Sequence, residues 1–197
     1  MSFIHQLHLL DQDLTLAVNS LHCSFSDAVW VLFSDRKIWY LLYLALTVLL
    51  FRRLGWKRAL VVMVSVILTV VACDQLANLV KYSVARLRPC WDNYMVAGGL
   101  HRLEGKGSYY GFFSAHAANA FGIAASLVTG IRADRTRSYR LLGVLLYSWA
   151  ALVSISRVFA GKHYLGDILV GTMAGLLVGY LLARLARWVI DKYSLSL

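Results

Sequence analysis

The sequence predicts an all-α, polytopic membrane helical bundle of five to six transmembrane helices, with an N-terminal stretch that reads either as a further span or as an interfacial helix. Three observations carry this. The 197 residues are 59% hydrophobic and only 15% charged, too apolar for an ordinary soluble domain. Apolar runs bounded by charge fall at 38–51, 59–80, 111–131, 141–158 and 164–186, and with their flanks each approaches the roughly 20 residues of a spanning helix. The net charge of +10 would point to nucleic acid in a soluble protein, but here much of it crowds short connections, so no nucleic-acid partner is expected. Arg52, Arg53, Lys57 and Arg58 share one connection, Arg132, Arg135, Arg137 and Arg140 another, and Arg184, Arg187 and Lys192 follow the last span. If five helices alternate, all three lie on one side, which should be cytoplasmic, leaving the 81–110 loop and the 156–167 junction on the outer face. Neither repeat nor linker interrupts the chain, so 1–197 reads as one domain.

Taken in order, the first 35 residues are broken by Asp11, Asp13, Asn19, His22, Ser24, Ser26 and Asp27. Leu10, Leu14, Val18 and Leu21 nevertheless share a helical face, as in an interfacial helix, while a span over about 14–33 is the alternative. No basic region followed by an apolar core marks a cleavable signal in the first ten residues. The 38–51 run is a scaffold span without internal charge. The next helix carries Asp74, Asn78 and Lys81 at i, i+4 and i+7. Because an ionisable residue in the membrane costs about 2.5–3.5 kcal/mol on insertion scales, Asp74 should turn into the bundle, either as a helix–helix contact or as support behind a site, together with Asn78. Lys81 and Arg88 stand seven apart, and Pro89 ends that helix.

Gly98, Gly99, Gly105, Gly107 and Gly111 punctuate a connection over 90–112 without period, read as a mobile mouth or a plain solvated loop. Ser114 and His116 open the next span, which is rich in alanine and glycine. Gly171, Gly175 and Gly179 follow Asp167 at steps of four, a close-packing face that should point Asp167 inward. Cys23, Cys73 and Cys90 show no metal spacing, and a Cys23–Cys90 bridge stays open if both lie outside the membrane.

Polar residues therefore gather at helix ends on one side: Lys81 with Arg88, Ser114 with His116, and Arg157 with His163 and Asp167. If helix resumes near His163, Asp167 lies one turn on, where a carboxylate can accept from the imidazole. The set suits phosphoryl transfer. Arginine and lysine neutralise phosphoryl oxygens, a serine hydroxyl and helix N-terminal amides add donors, and two histidines can divide attack on phosphorus from protonation of the leaving oxygen. Arg86 and Lys162 read as loop charge, and a metal role for His5 and His8 is not expected.

These motifs resemble the type 2 phosphatidic acid phosphatase family of membrane lipid phosphatases, which shares its active-site plan with vanadium haloperoxidases. Lys-x6-Arg-Pro is matched by Lys81, Arg88 and Pro89, and Ser-Arg-x5-His-x3-Asp by Ser156, Arg157, His163 and Asp167. Pro-Ser-Gly-His is matched only at Ser114 and His116, with Phe113 and Ala115 at its other two places. The resemblance implies a six-helix core, His163 as the nucleophile of a phosphohistidine intermediate, Asp167 as its partner, and His116 as general acid. It further implies phosphate binding by Lys81, Arg88, Ser114 and Arg157, and no cofactor or metal. No close histidine pair or carboxylate cluster suited to Mg or Zn is legible in the sequence.

The expected substrate is a lipid phosphate or diphosphate held at the outer face of a bacterial inner (plasma) membrane. Undecaprenyl diphosphate leads, on family analogy and small size, and lipid A, phosphatidylglycerophosphate and phosphatidic acid are the alternatives. Two readings from other classes are a vanadate-holding haloperoxidase, against which the apolar spans argue, and a non-catalytic channel, carrier or lipid-binding protein using Asp74 and Asn78.

Overall fold

Residues 3–193 are described by the structure, a computed structural model. In chain order the helices are α1 (Phe3–Asn19), α2 (Ser24–Ser34), α3 (Tyr40–Val84), α4 (Asn93–Ala97), α5 (Ala115–Ile131), α6 (Arg140–Phe159) and α7 (Leu165–Lys192), with 3-10 turns at Arg36–Trp39 and Pro89–Trp91.

The 38–51 and 59–80 runs are the two legs of α3. Gly55 interrupts it at φ 72° and ψ 166°, a conformation open to glycine because it has no Cβ. The Thr47 hydroxyl and the Met63 sulfur lie 3.9 Å apart, whereas 16 residues of straight helix span about 24 Å. The chain therefore doubles back at Gly55, and Leu46, Leu50 and Leu54 share a core with Ala59 and Val62. Among the described residues three stretches are long and apolar enough to cross a membrane, Arg36–Val84, Arg140–Phe159 and Leu165–Lys192, and the α1–α2 pair, bent by 115°, makes a fourth if taken as one span.

The shorter α5 is the central rod, packed by α3, α6 and α7. Its alanines and glycines are buried on most sides, which lets backbones approach where lipid supplies little drive for association. A Cβ added at Gly171 would lie 2.5 Å from the Ser114 carbonyl oxygen, and at Gly175 and Gly179 it would strike the carbonyls of Ala118 and Gly122. The expected close-packing face is thus α7 against α5, and Asp167, one turn before Gly171, is fully buried.

Residues 3–34 are not one straight span. The 115° bend falls between Asn19 and Ser24, inside the window 14–33. Leu10, Leu14 and Leu21 point outward, while Gln12, Thr15 and Asn19 are buried. The reason is polar docking onto the ends of α6 and α7: the Asn19 amide donates to the Val158 and His101 carbonyls at 3.0 and 3.1 Å, and the Thr15 hydroxyl accepts from the Leu165 N–H at 3.1 Å.

The 90–112 connection keeps many exposed residues, as a solvated connection would, yet it is pinned at several points. Asp92 caps α4 by accepting from the Tyr94 N–H, Leu87 bridges Tyr110, and Cys90 and Met95 are buried. The Cys23–Cys90 bridge is not formed: both are free thiols, Cys23 capping α2 and Cys90 donating to the Lys106 carbonyl. At the opposite end, Arg53 pairs with Asp134 at 2.7 Å and Arg135 with Asp191 at 3.9 Å, so the basic connections do share one side.

Candidate active site

After α6 the chain turns through Gly161, at φ 68°, and the Lys162 and His163 N–H groups both donate to the Arg157 carbonyl, at 3.0 and 3.2 Å. Helix resumes at Leu165, two residues later than the spacing suggested. Asp167 then sits in the first turn of α7, where its Oδ2 accepts from the Tyr164 N–H at 3.2 Å and meets His163 Nδ1 at 3.2 Å. The pairing follows from capping geometry as much as from the four-residue interval.

His163 is 2% exposed. Burial, and then the cations Arg88, Arg157, Lys81 and Lys162, hold its pKa well below the ordinary histidine value, so the ring is neutral at physiological pH. A neutral imidazole whose Nδ1–H donates a hydrogen bond to Asp167 has a free electron pair on Nε2.

A cavity of about 430 Å³ is lined by His163, His116, Lys81 and Arg88, by Asp74, Asn78 and Asn119, and by the aromatic Trp39, Tyr43 and Trp149. Residues of α2, α3, α5 and α6 and of the connections after α3 and α6 thus line one space, which holds four of the expected seven residues. Asp167 stands directly behind His163. Asp74 accepts from the Asn119 amide at 2.8 Å, which makes it both a helix–helix contact and part of the cavity wall. Arg88 is oriented by donating from Nε to the Tyr110 carbonyl at 3.1 Å, and burial lowers its pKa.

Two expected phosphate ligands are elsewhere engaged. The Ser114 hydroxyl caps α5, accepting from the Ala117 N–H, and its own N–H donates to the Asp167 carbonyl at 3.0 Å. Arg157 is gripped by Glu104, Nη1 to Oε1 at 2.9 Å and Nη2 to Oε2 at 3.3 Å, and it also donates to the Ser34 hydroxyl. Burial would raise the Glu104 pKa, but the Ser34 hydroxyl and Arg157 outweigh it and hold the carboxyl below its usual range.

Arg86 and Lys162 are not loop charges. Arg86 donates to Asp167 Oδ1 at 2.9 Å and to Asp11 Oδ2 at 2.7 Å, and stacks 3.9 Å from the centre of the Tyr164 ring. Lys162 is 5% exposed, donates to the Gly105 carbonyl and lies 4.0 Å from Glu104. Neither was legible, because the partners that define them are remote in sequence. Glu104 itself offered no signal beyond one acid in a glycine-rich loop.

Histidines that are far apart in sequence do form a close pair in the fold. The fold brings His22, Asp27 and His101 together, with ligand atoms all within 4.8 Å of one another. No sequence interval links the two histidines. His8 contacts Arg86 Nη2 at 3.2 Å.

Comparison with known proteins agrees with this geometry. The model of the PAP2 superfamily matches residues 37–191. A lipid A 4'-phosphatase of Bacteroides thetaiotaomicron is 32% identical over 180 residues, covering 90% of this chain and 77% of that protein. A lipid A 4'-phosphatase of Porphyromonas gingivalis is 32% identical over 187 residues, covering 91% and 76%. Among solved structures, the transmembrane PAP2-type phosphatidylglycerolphosphate phosphatase of Bacillus subtilis superposes with TM-score 0.74 at 18% identity, over 93% of this chain and 88% of the other. Aquifex aeolicus LpxE superposes with TM-score 0.63 at 20% identity, over 87% and 93%. With its histidine–aspartate pair at the foot of a cationic cavity inside a helical membrane bundle, the chain belongs to the PAP2 superfamily and is a membrane lipid phosphatase.

Proposed function

We propose that the chain removes a phosphate monoester from lipid A or a closely related lipid, with His163 as nucleophile. The observation that carries the mechanism is that His163, held by Asp167, shares one cavity with His116, Lys81 and Arg88. His163 Nε2 attacks phosphorus, forming an N–P bond as the bond from phosphorus to the lipid oxygen breaks. His116 gives its proton to that oxygen. Lys81 and Arg88 neutralise the phosphoryl oxygens as charge develops. Water then attacks the phosphohistidine, His116 takes its proton, and phosphate leaves with His163 restored. Arg157 joins the phosphate once Glu104 is displaced, and Ser114 acts by setting the start of α5 against Asp167. The aromatic wall of the cavity suits a substrate whose polar head is attached to apolar chains.

Lipid A is favoured over undecaprenyl diphosphate because two relatives that each match about 90% of the chain are lipid A 4'-phosphatases. The basic connections gathered at the opposite end support a site on the outer face of the inner membrane. The test is phosphate release by purified protein from lipid A, undecaprenyl diphosphate, phosphatidylglycerophosphate and phosphatidic acid, with EDTA present and with His163→Ala as control. Fastest release from lipid A, unaffected by EDTA, is expected. Preference for the diphosphate would overturn the substrate assignment, and loss of activity in EDTA by protein whose thermal unfolding is unchanged would overturn the metal-free mechanism.

A further inference from the structure

We infer that His22, Asp27 and His101 form a structural site for a divalent transition metal of the zinc type, separate from the catalytic histidines. His22 lies in the bend between α1 and α2, Asp27 in the first turn of α2, and His101 in the 98–112 connection. Asp27 Oδ2 is 2.9 Å from His101 Nε2 and 4.0 Å from His22 Nδ1. In a tetrahedral zinc site with bonds of about 2.0–2.1 Å, neighbouring ligand atoms stand roughly 3.3–3.4 Å apart, so the two distances bracket the required value.

The two imidazole rings are stacked, 3.6 Å between centroids and 5° from parallel. Parallel rings cannot both aim an in-plane lone pair at one ion, so one must rotate, and His22 is the exposed member that can. Asp27 directs both contacts through Oδ2 and leaves Oδ1 buried without a hydrogen-bond partner. That orphaned acceptor gives the carboxylate a coordination position to spare. Two imidazoles and one carboxylate are a donor set that zinc accepts, with water as the fourth ligand on the exposed side.

The consequence lies in what the site joins. It ties the α1–α2 bend to the segment that, three residues beyond His101, carries Glu104 against Arg157. A bound ion would therefore brace the cap over the cationic end of the bundle.

The experiment uses the full chain in detergent, stripped with EDTA and dialysed, then titrated with Zn2+ by calorimetry. Co2+ absorption serves as a second probe and thermal unfolding as a third. One equivalent of Zn2+ is expected to bind and to raise the unfolding midpoint, with tetrahedral Co2+ bands in the visible. His22→Ala, on the exposed side where refolding is least at risk, and His101→Ala should each weaken Zn2+ binding by about tenfold or more and abolish the midpoint shift, while His5→Ala should not. Absence of saturable binding, or binding unchanged in both His22→Ala and His101→Ala, overturns the assignment and leaves Asp27 and His101 as a hydrogen-bonded pair only.

Discussion

Each end of the bundle holds a buried aspartate paired with an arginine, yet the two are finished differently. At the end carrying the basic connections, Asp134 accepts from Arg53 Nη2 at 2.7 Å, from the Thr136 N–H and hydroxyl at 2.8 and 2.5 Å, and from the Tyr139 hydroxyl. Both carboxylate oxygens are spent within the protein. At the other end Asp167 accepts from Arg86 and from the Tyr164 N–H, but its third contact is His163, whose ring lines a cavity. The first arrangement closes on itself and anchors a connection. The second ends on a ring with a free nitrogen, and that open end is where chemistry can occur.

The sharpest way to break this contrast is to remove the open end. His163→Ala should lower kcat by about 10⁴-fold or more while the protein remains folded, measured as phosphate release alongside thermal unfolding. In the intact enzyme, burial and the surrounding cations keep His163 neutral below the ordinary histidine pKa. Activity should therefore persist as pH falls through 6.5, and an acidic limb of kcat/KM centred near the ordinary histidine value would contradict the assignment.

Next in size is Arg86→Ala, which leaves Asp167 without its guanidinium partner. Loss of positioning should lower kcat by about 10²-fold with little change in KM, and breaking a buried pair should cost about 3 kcal/mol of stability. Arg86→Lys should restore part of the kcat. A purely structural role predicts lost stability with kcat of the folded fraction unchanged.

Glu104→Gln should act more mildly and in the opposite direction. Freed of its carboxylate, Arg157 becomes available to anions, so inhibition by inorganic phosphate should tighten by about tenfold, equivalent to about 1.4 kcal/mol. An unchanged inhibition constant would show that Arg157 does not meet the phosphate.

The smallest effect on activity belongs to the closed end. Asp134→Asn should leave kcat and KM unaltered while lowering the unfolding midpoint. Hydrogen bonds from Thr136 and Tyr139, and then Arg53, hold the Asp134 carboxyl below its usual range. A lowered folded-state pKa means that its contribution is complete above the unfolded value and lost as pH falls through the folded one. The midpoint difference between Asp134→Asn and the parent should therefore shrink only in strong acid.

Much of the fold and part of the site were legible. Alternating apolar runs and clustered arginines located the spans and their common side, because lipid and charge act on composition alone. The glycine ladder from Gly171 to Gly179 oriented Asp167, since only a face without side chains can meet the α5 backbone. The intervals Lys81–Arg88 and His163–Asp167 were readable because each lies within one local segment. Arg86 was missed, although two residues from Arg88, because its partners Asp11 and Asp167 stand at opposite ends of the chain. Glu104, Lys162 and the His22–His101 pair were missed for the same reason, and the short helix α4 in the 90–112 segment was missed because five residues are too few to show a helical period.

What the sequence determined by itself is what local physics can write: which stretches prefer lipid and which residue types could handle a phosphate. What only the tertiary structure decided is which of those residues share a space and which are already engaged. Arg157 and Ser114 carry the expected identities, yet one is held by Glu104 and the other caps α5. Hydrogen-bond and ion-pair partners are chosen by proximity across the folded chain, and proximity is not written in sequence spacing.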